Sequence, residues 1–213
     1  MPSPAFPLAK TINENLGVET RNYNLLPDQE FEIDLEHAET LVDDKTKIML
    51  VNNPSNPCGS LFSRAHMEAI TAFATKHHLI LVSDEVYYGL SYHPEKEFIS
   101  FPEVAKDIPV ITTGALSKIY AVPGWRLGWC IVYNRHGLLD EIKQAMSNLS
   151  MIWLHPTSLI QKALPRILEE VPDSFFENYK SKLSHASVSA YNAIKDIPGL
   201  KPVKANAAMY MMV

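Results

Sequence analysis

Short apolar runs recur along the chain, and segments with helical periodicity separate them. Several of these runs are apolar at every position, which is typical of strands that helices cover on both faces of a parallel sheet. Strands that alternate with helices favour a layered α/β fold with a mostly parallel sheet. The predicted strands are residues 18–23, 48–51, 79–83, 110–113 and 127–133.

Capping residues and apolar spacing predict the helices. A helix over residues 6–16 ends at Gly17, because glycine suits the left-handed position that follows a helix. Asp34 and Ser63 are typical N-cap residues for helices over residues 35–42 and 64–77. Two more stripes have helical spacing: Leu138, Ile142, Met146 and Leu149, and then Phe176, Tyr179, Leu183, Ala190 and Ile194. Residues 209–213 are predicted to form a last strand.

Composition narrows the classes of function. At 213 residues and 46% apolar, the chain can bury a sizeable core in one or two domains. A net charge of −5 with no basic block disfavours nucleic-acid binding. No uncharged apolar run reaches the roughly 18 residues of a membrane span, and the start of the chain lacks a signal-peptide pattern. Cys58 and Cys130 are too few for a disulfide framework, so we expect a cytoplasmic enzyme without a membrane or nucleic-acid partner.

Five polar residues occur in an ordered set of motifs. Asn56 lies in Asn-Pro-Cys-Gly, Asp84 and Tyr87 lie in Asp-Glu-Val-Tyr, and Lys118 precedes the run Pro-Gly-Trp-Arg-Leu-Gly-Trp that contains Arg126. An amide, a carboxylate, a phenol, an amine and a guanidinium are the groups needed to hold and use pyridoxal 5′-phosphate. Through these motifs the chain resembles the class I/II aminotransferases of fold type I along essentially all of its length. The resemblance implies helices on both faces of a parallel sheet in a large domain.

The resemblance gives the lysine and the aspartate their roles. Lys118 would bind the aldehyde of the cofactor and later carry a proton, which requires that burial and the nearby Arg126 lower its pKa from about 10.4. Asp84 closes the apolar run before it, at the end of a strand where ligands gather in α/β sheets. There it would keep the pyridine nitrogen protonated, so that the ring can accept electrons.

The remaining three residues would fix the cofactor in place. Asn56 and Tyr87 would hydrogen-bond its 3′-oxygen, and Arg126 would hold its phosphate through two parallel bonds. The family's motifs select these residues over the neighbouring Asn53 and Tyr88. One position departs from the family: Ala115 stands where many relatives have a serine or threonine that binds phosphate, and Thr113 and Ser117 are open substitutes. No metal site is predicted, because His77 and His78 suit the end of a helix.

The resemblance also implies how the chain is divided. Residues 1–171 would be the C-terminal part of the large, cofactor-binding domain, and residues 172–213 would be an interdomain helix and the truncated start of a small α+β domain. We therefore expect a central fragment of the family. The aromatic residue that stacks on the cofactor would lie upstream of it, and the arginine that binds the substrate carboxylate would lie downstream.

The implied reaction moves an amino group from an aromatic amino acid, tyrosine, to a 2-oxo acid such as 2-oxoglutarate, in a homodimer. An alanine-type aminotransferase or a carbon–sulfur lyase remains an alternative, because the same five residues generate a carbanion and leave its fate to other groups. A third alternative is a non-catalytic fragment of such an enzyme.

Overall fold

The computed structural model describes residues 1–93 and 95–213. The chain begins with a small three-stranded sheet formed by β1 (Pro2–Ser3), β2 (Tyr23–Leu26) and β3 (Glu32–Ile33). β2 pairs in parallel with β1 and antiparallel with β3. Two short helices, α1 (Leu8–Asn15) and α2 (Leu35–Leu41), accompany this sheet. The side chain of Asp34 accepts a hydrogen bond from His37 N at 2.9 Å, so the predicted cap of α2 is present.

The larger sheet has four strands in the order β4 (Ile48–Asn52), β5 (Ile80–Asp84), β6 (Val110–Ala115) and β7 (Gly128–Tyr133). β4, β5 and β6 are parallel, and β7 runs antiparallel to β6. Their registers pair Asn52 with Asp84 and Asp84 with Thr113. The prediction of an α/β fold is confirmed, and these four strands lie close to where the apolar runs predict them.

The helices of the rest of the chain follow in order. They are α3 (Arg64–Lys76), α4 (Phe101–Val104), α5 (Leu116–Ile119), α6 (Asp140–Trp153), α7 (Ser158–Glu170) and α8 (Asp173–Ile194). α3 begins after Ser63, whose hydroxyl accepts from His66 N at 3.2 Å, and it buries Met67, Ile70 and Ala74 in the core. Val51, Leu81 and Val110 of the sheet lie in the same core, fully buried.

Two predicted strands differ from what is observed, and one helix was not predicted. Residues 18–22 form no strand; β2 starts at Tyr23, because Tyr23 and Leu25 alternate into the core while Val18 is exposed. Residues 209–213 form no strand either, and Met212 O only accepts a bond from Val203 N. Helix α7 was not predicted, and Pro165 lies inside it. The helix predicted from the stripe at Leu138, Ile142, Met146 and Leu149 is present as α6, although it starts only at Asp140 and Leu149 is exposed.

The described part of the chain contains no helix that is both long enough and apolar enough to cross a membrane.

Candidate active site

The carboxyl ends of the parallel strands bring two loops together. β4 ends at Asn52 and β5 ends at Asp84, directly opposite it in the sheet. The amide of Asn52 donates from Nδ2 to Asp84 O at 3.0 Å and accepts at Oδ1 from Asn56 N at 2.7 Å. The Asn56 loop, residues 53–60, is therefore tied to the end of β5. This is the edge at which open α/β sheets bind their ligands.

Asp84 presents a half-buried carboxylate at this edge. Its Oδ1 accepts hydrogen bonds from Val86 N at 3.2 Å and from Thr113 Oγ1 at 3.3 Å. Burial raises the pKa of the Asp84 carboxyl, and these two hydrogen bonds oppose the rise. No ion pair to Asp84 occurs among the described residues. The carboxylate is therefore desolvated without a cation, and a cationic ligand group would stabilise it.

The neighbouring Glu85 is already fully engaged. Its carboxylate is buried and accepts bonds from Ser83 Oγ at 3.0 Å, Ser100 Oγ at 2.7 Å and Phe101 N at 3.0 Å. These donors hold the start of α4 against the end of β5. Of the two adjacent carboxylates, Asp84 is thus the one available to a ligand.

Tyr87 connects the other predicted residues. Its ring is buried, and the Nζ of Lys118 lies 5.7 Å from the ring centroid. Burial raises the pKa of the Tyr87 phenol, the hydrogen bond to Tyr210 and the charge of Asp84 raise it further, and the amide of Asn56 acts in the opposite direction. Three of the other predicted residues, Asn56, Asp84 and Lys118, therefore lie near Tyr87.

Lys118 approaches Tyr87 from the short helix α5, which follows directly after β6. The start of α5 is fixed to the next loop, because Leu116 N donates to Leu127 O at 3.1 Å. The Lys118 side chain is half-buried. β6 and α5 together place an amine opposite the phenol of Tyr87.

No described side-chain contact joins the fifth predicted residue, Arg126, to the other four. It follows the turn Pro123–Trp125 with a left-handed backbone (φ 53°), and its exposed guanidinium donates to Pro123 O at 2.8 Å. The described residues offer it no ion-pair partner. Of the two open substitutes for a phosphate ligand near Ala115, Thr113 already donates its hydroxyl to Asp84.

Tyr210 is a site residue that the sequence reasoning missed. Its hydroxyl lies 2.8 Å from the Tyr87 hydroxyl, and the two rings meet edge to face with centroids 5.8 Å apart. The one sign in the sequence is a phenol within an otherwise apolar run at residues 209–213. Nothing local indicates that this run returns to residue 87.

Helix α8 contacts both sides of the site. The ring of Phe176 packs edge to face on Tyr120, just after α5, with centroids 5.2 Å apart. Further along α8, Tyr179 and Leu183 pack against a cluster that contains Tyr87. The helix therefore braces the lysine and the tyrosine together.

The side chains around Tyr87 fit a small ring that carries a basic nitrogen, a hydroxyl and an aldehyde. A desolvated carboxylate suits a protonated ring nitrogen, a phenol and an amide suit a ring oxygen, and an amine reacts with an aldehyde. No cluster of three or more His, Cys, Asp or Glu side chains that could hold a metal is present in the described residues. A separate cavity of about 520 Å³ lies at the opposite end of β4, beside Arg21 and Ile48, and contains none of the five predicted residues.

Comparison with known proteins shows which family the chain matches. The family model for aminotransferase class I and II matches residues 1–213. Tyrosine aminotransferase of Homo sapiens is 40% identical over all of this chain, which covers 47% of that protein. A cystine lyase of Arabidopsis thaliana is 36% identical over 94% of the chain, which covers 48% of it. The chain spans about half the length of the curated relatives it matches.

Solved structures of aminotransferases are also similar to the chain. A tyrosine aminotransferase from Leishmania infantum superposes with a TM-score of 0.91 at 31% identity, over 97% of this chain and 51% of that one. An alanine aminotransferase from Pyrococcus furiosus superposes with a TM-score of 0.92 at 30% identity, over 98% of this chain and 52% of that one.

Proposed function

The chain belongs to the class I and II aminotransferases, and from this premise we propose that it carries the pyridoxal 5′-phosphate site of an enzyme. That enzyme would transfer the amino group of tyrosine, or of another aromatic amino acid, to a 2-oxo acid such as 2-oxoglutarate. The observation that carries the proposal is the meeting of Asn56, Asp84, Tyr87 and Lys118 at the carboxyl ends of parallel strands. The similarity to tyrosine aminotransferases supports the choice of amino acid.

Each residue has a defined task toward the cofactor. When bound, pyridoxal phosphate supplies a conjugated ring that accepts the negative charge left on the substrate α-carbon after a proton departs. Asp84 would hold the ring nitrogen in its protonated state, because its desolvated carboxylate has no cationic partner among the residues that the structure describes. Tyr87 and Asn56 would bind the ring oxygen, and Arg126 would bind the phosphate.

Lys118 would have two tasks. Its amine would hold the cofactor covalently through the aldehyde, and once substrate has displaced it, the free amine would carry the proton at the substrate α-carbon. Its half-buried place over the Tyr87 ring supports this, because it puts the amine beside the residue proposed to bind the ring oxygen of the cofactor.

Reduction with borohydride tests the assignment of the lysine. The protein is loaded with cofactor, reduced, digested, and the modified peptide is identified by mass spectrometry. We expect the label on Lys118, loss of labelling in Lys118→Ala, and normal labelling in Lys143→Ala, which removes an exposed lysine of α6. A label on any other lysine contradicts the assignment.

A carbon–sulfur lyase is the second candidate function, favoured by the similarity to a cystine lyase. Both activities need the same carbanion, and they differ in what leaves the substrate afterwards. Supplying tyrosine with 2-oxoglutarate and, separately, cystine alone distinguishes them. Glutamate from the first reaction supports the aminotransferase, whereas pyruvate and ammonia from the second support the lyase.

The organisation of the chain completes the proposal. Residues 1–171 would belong to the cofactor-binding domain and residues 172–213 to an interdomain helix and the start of a small domain; support comes from the break between α7 and α8 at Val171 and Pro172. The family resemblance supports a homodimer. The two free thiols, Cys58 and Cys130, support a place in the reducing cytoplasm.

A further inference from the structure

The contact between Tyr210 and Tyr87 joins two distant parts of the chain. The two hydroxyls are 2.8 Å apart, and either can be the donor. A hydroxyl that accepts a hydrogen bond becomes a better donor itself, because hydrogen bonds in a chain polarise one another. The Tyr87 hydroxyl is also the group proposed to donate to the ring oxygen of the cofactor. A second phenol behind it therefore bears directly on how well Tyr87 donates.

Backbone contacts hold Tyr210 in this place. Gly59 O accepts bonds from Asn206 N at 2.8 Å and from Ala207 N at 3.0 Å. Ala208 N donates to Leu90 O at 2.8 Å, just after Tyr87 in the chain. The segment 205–210 is thus fixed both to the Asn56 loop and to the loop that carries Tyr87.

The close approach at Gly59 leaves this segment little freedom. A Cβ on Gly59 would overlap the carbonyl oxygen of Tyr210 and would come within 2.8 Å of the Ala205 side chain. The backbone of residue 210 therefore rests directly on the loop that presents Asn56. Tyr210 is held at a fixed distance from two of the predicted cofactor ligands.

We propose that Tyr210 is a positioning residue for Tyr87: its hydroxyl donates to the Tyr87 hydroxyl, aims that group at the ring oxygen of the cofactor and strengthens its donation. The inference rests on the proposed function, because it concerns the cofactor that Tyr87 would bind. Burial raises the pKa of the Tyr87 phenol and so keeps it protonated, as a donor must be.

The test is the pKa of the cofactor chromophore bound at Lys118, read from its absorbance during a pH titration. A hydrogen bond donated to the ring oxygen stabilises the anionic form of the chromophore and lowers the chromophore pKa. A weaker donor therefore raises the chromophore pKa. A hydrogen bond to a charged group is equivalent to roughly 1 to 2 pKa units. Since Tyr210 acts through Tyr87, and hydrogen bonds in a chain strengthen one another by roughly 10 to 30%, we expect Tyr210→Phe to raise the pKa by roughly 0.1 to 0.6 unit.

Two matched variants separate positioning from general loosening. Tyr92→Phe removes a hydroxyl that donates to Ala207 O at 3.2 Å, so it loosens the segment 205–210 without touching the Tyr87 hydroxyl. Tyr88→Phe removes a phenol beside Tyr87 that is 53% exposed. Neither change should move the chromophore pKa. In a Tyr87→Phe background, Tyr210→Phe should have no further effect, because the group it acts through is gone.

Each outcome decides a separate question. A wild-type protein that binds no cofactor at Lys118 contradicts the proposed function and this inference with it. A wild type that binds the cofactor but whose chromophore pKa is the same in Tyr210→Phe contradicts the inference alone. An equal shift of the chromophore pKa in Tyr92→Phe also contradicts the inference alone. The same holds if Tyr210→Phe still shifts this pKa in the Tyr87→Phe background.

Discussion

Replacing Gly59 by alanine should detach the segment 205–210 from the Asn56 loop. Gly59 has a left-handed backbone (φ 64°), and the added Cβ would overlap the backbone oxygen of Tyr210. A backbone oxygen cannot turn aside as the end of a flexible side chain can. The segment must therefore move away, and its hydrogen bonds to Gly59 O break.

The loss in free energy of unfolding follows from the backbone strain and the hydrogen bonds that are broken. A left-handed alanine costs about 1 to 2 kcal/mol relative to glycine. The two bonds from Asn206 N and Ala207 N contribute about 1 kcal/mol each, and so does the bond between Tyr87 and Tyr210. Gly59→Ala should therefore lower the free energy of unfolding by about 4 to 5 kcal/mol, a large part of the stability of a typical domain.

Gly17 supplies the matched control. It has almost the same backbone angle (φ 68°), but no atom lies within 4 Å of a Cβ placed there. Gly17→Ala should lose only the backbone contribution, about 1 to 2 kcal/mol. Both variants can be compared with the wild type by urea unfolding, followed by circular dichroism. If Gly59→Ala is no less stable than Gly17→Ala, the proposed packing of the segment on the loop is wrong.

Further predictions concern the site and its support. Asp84→Ala should lower the transamination rate by at least about 100-fold while weakening cofactor affinity much less, as measured by steady-state kinetics and cofactor titration; equal losses in both would contradict its proposed role. Burial lowers the pKa of His66, whose Nε2 accepts Ile33 N–H at 2.8 Å. Because the unfolded chain then binds more protons below about pH 6.5, stability should fall as the pH drops through that value. His66→Gln should remove this part of the pH dependence of the free energy of unfolding, measured in urea. If the free energy of unfolding depends on pH equally in the variant, the assignment to His66 is wrong.

Local patterns were sufficient for the parts of the fold that depend on neighbouring residues. The caps at Asp34 and Ser63 were predictable because an N-cap bonds to a backbone N–H only three residues away. Apolar runs located β4 to β6 because buried strands need apolar side chains on both faces. The apolar run of β7 located that strand too, although its first four residues are exposed. The end of β5 at Asp84 follows from the same reasoning and puts the first site residue at the correct edge of the sheet.

Long-range contacts were out of reach of a single sequence. Residues 18–22 have strand propensity, but the strand starts where Tyr23 and Leu25 find a core to pack against. Residues 209–213 also have strand propensity, yet they pair with no strand among the described residues. The position of Tyr210 beside Tyr87 depends on the chain folding back across the Asn56 loop, which no local spacing encodes.

The contacts of helix α8 with both sides of the site have a consequence for how the site opens. Phe176 holds Tyr120 at the end of α5, and Tyr179 and Leu183 hold the cluster around Tyr87. Both contacts are lost together when α8 separates from the rest of the chain. The backbone amides of α5 and of the turn after Tyr87 should therefore exchange with deuterium at one common rate, as members of a single cooperative unit. The lysine and the tyrosine, far apart in sequence, would lose their order in the same event.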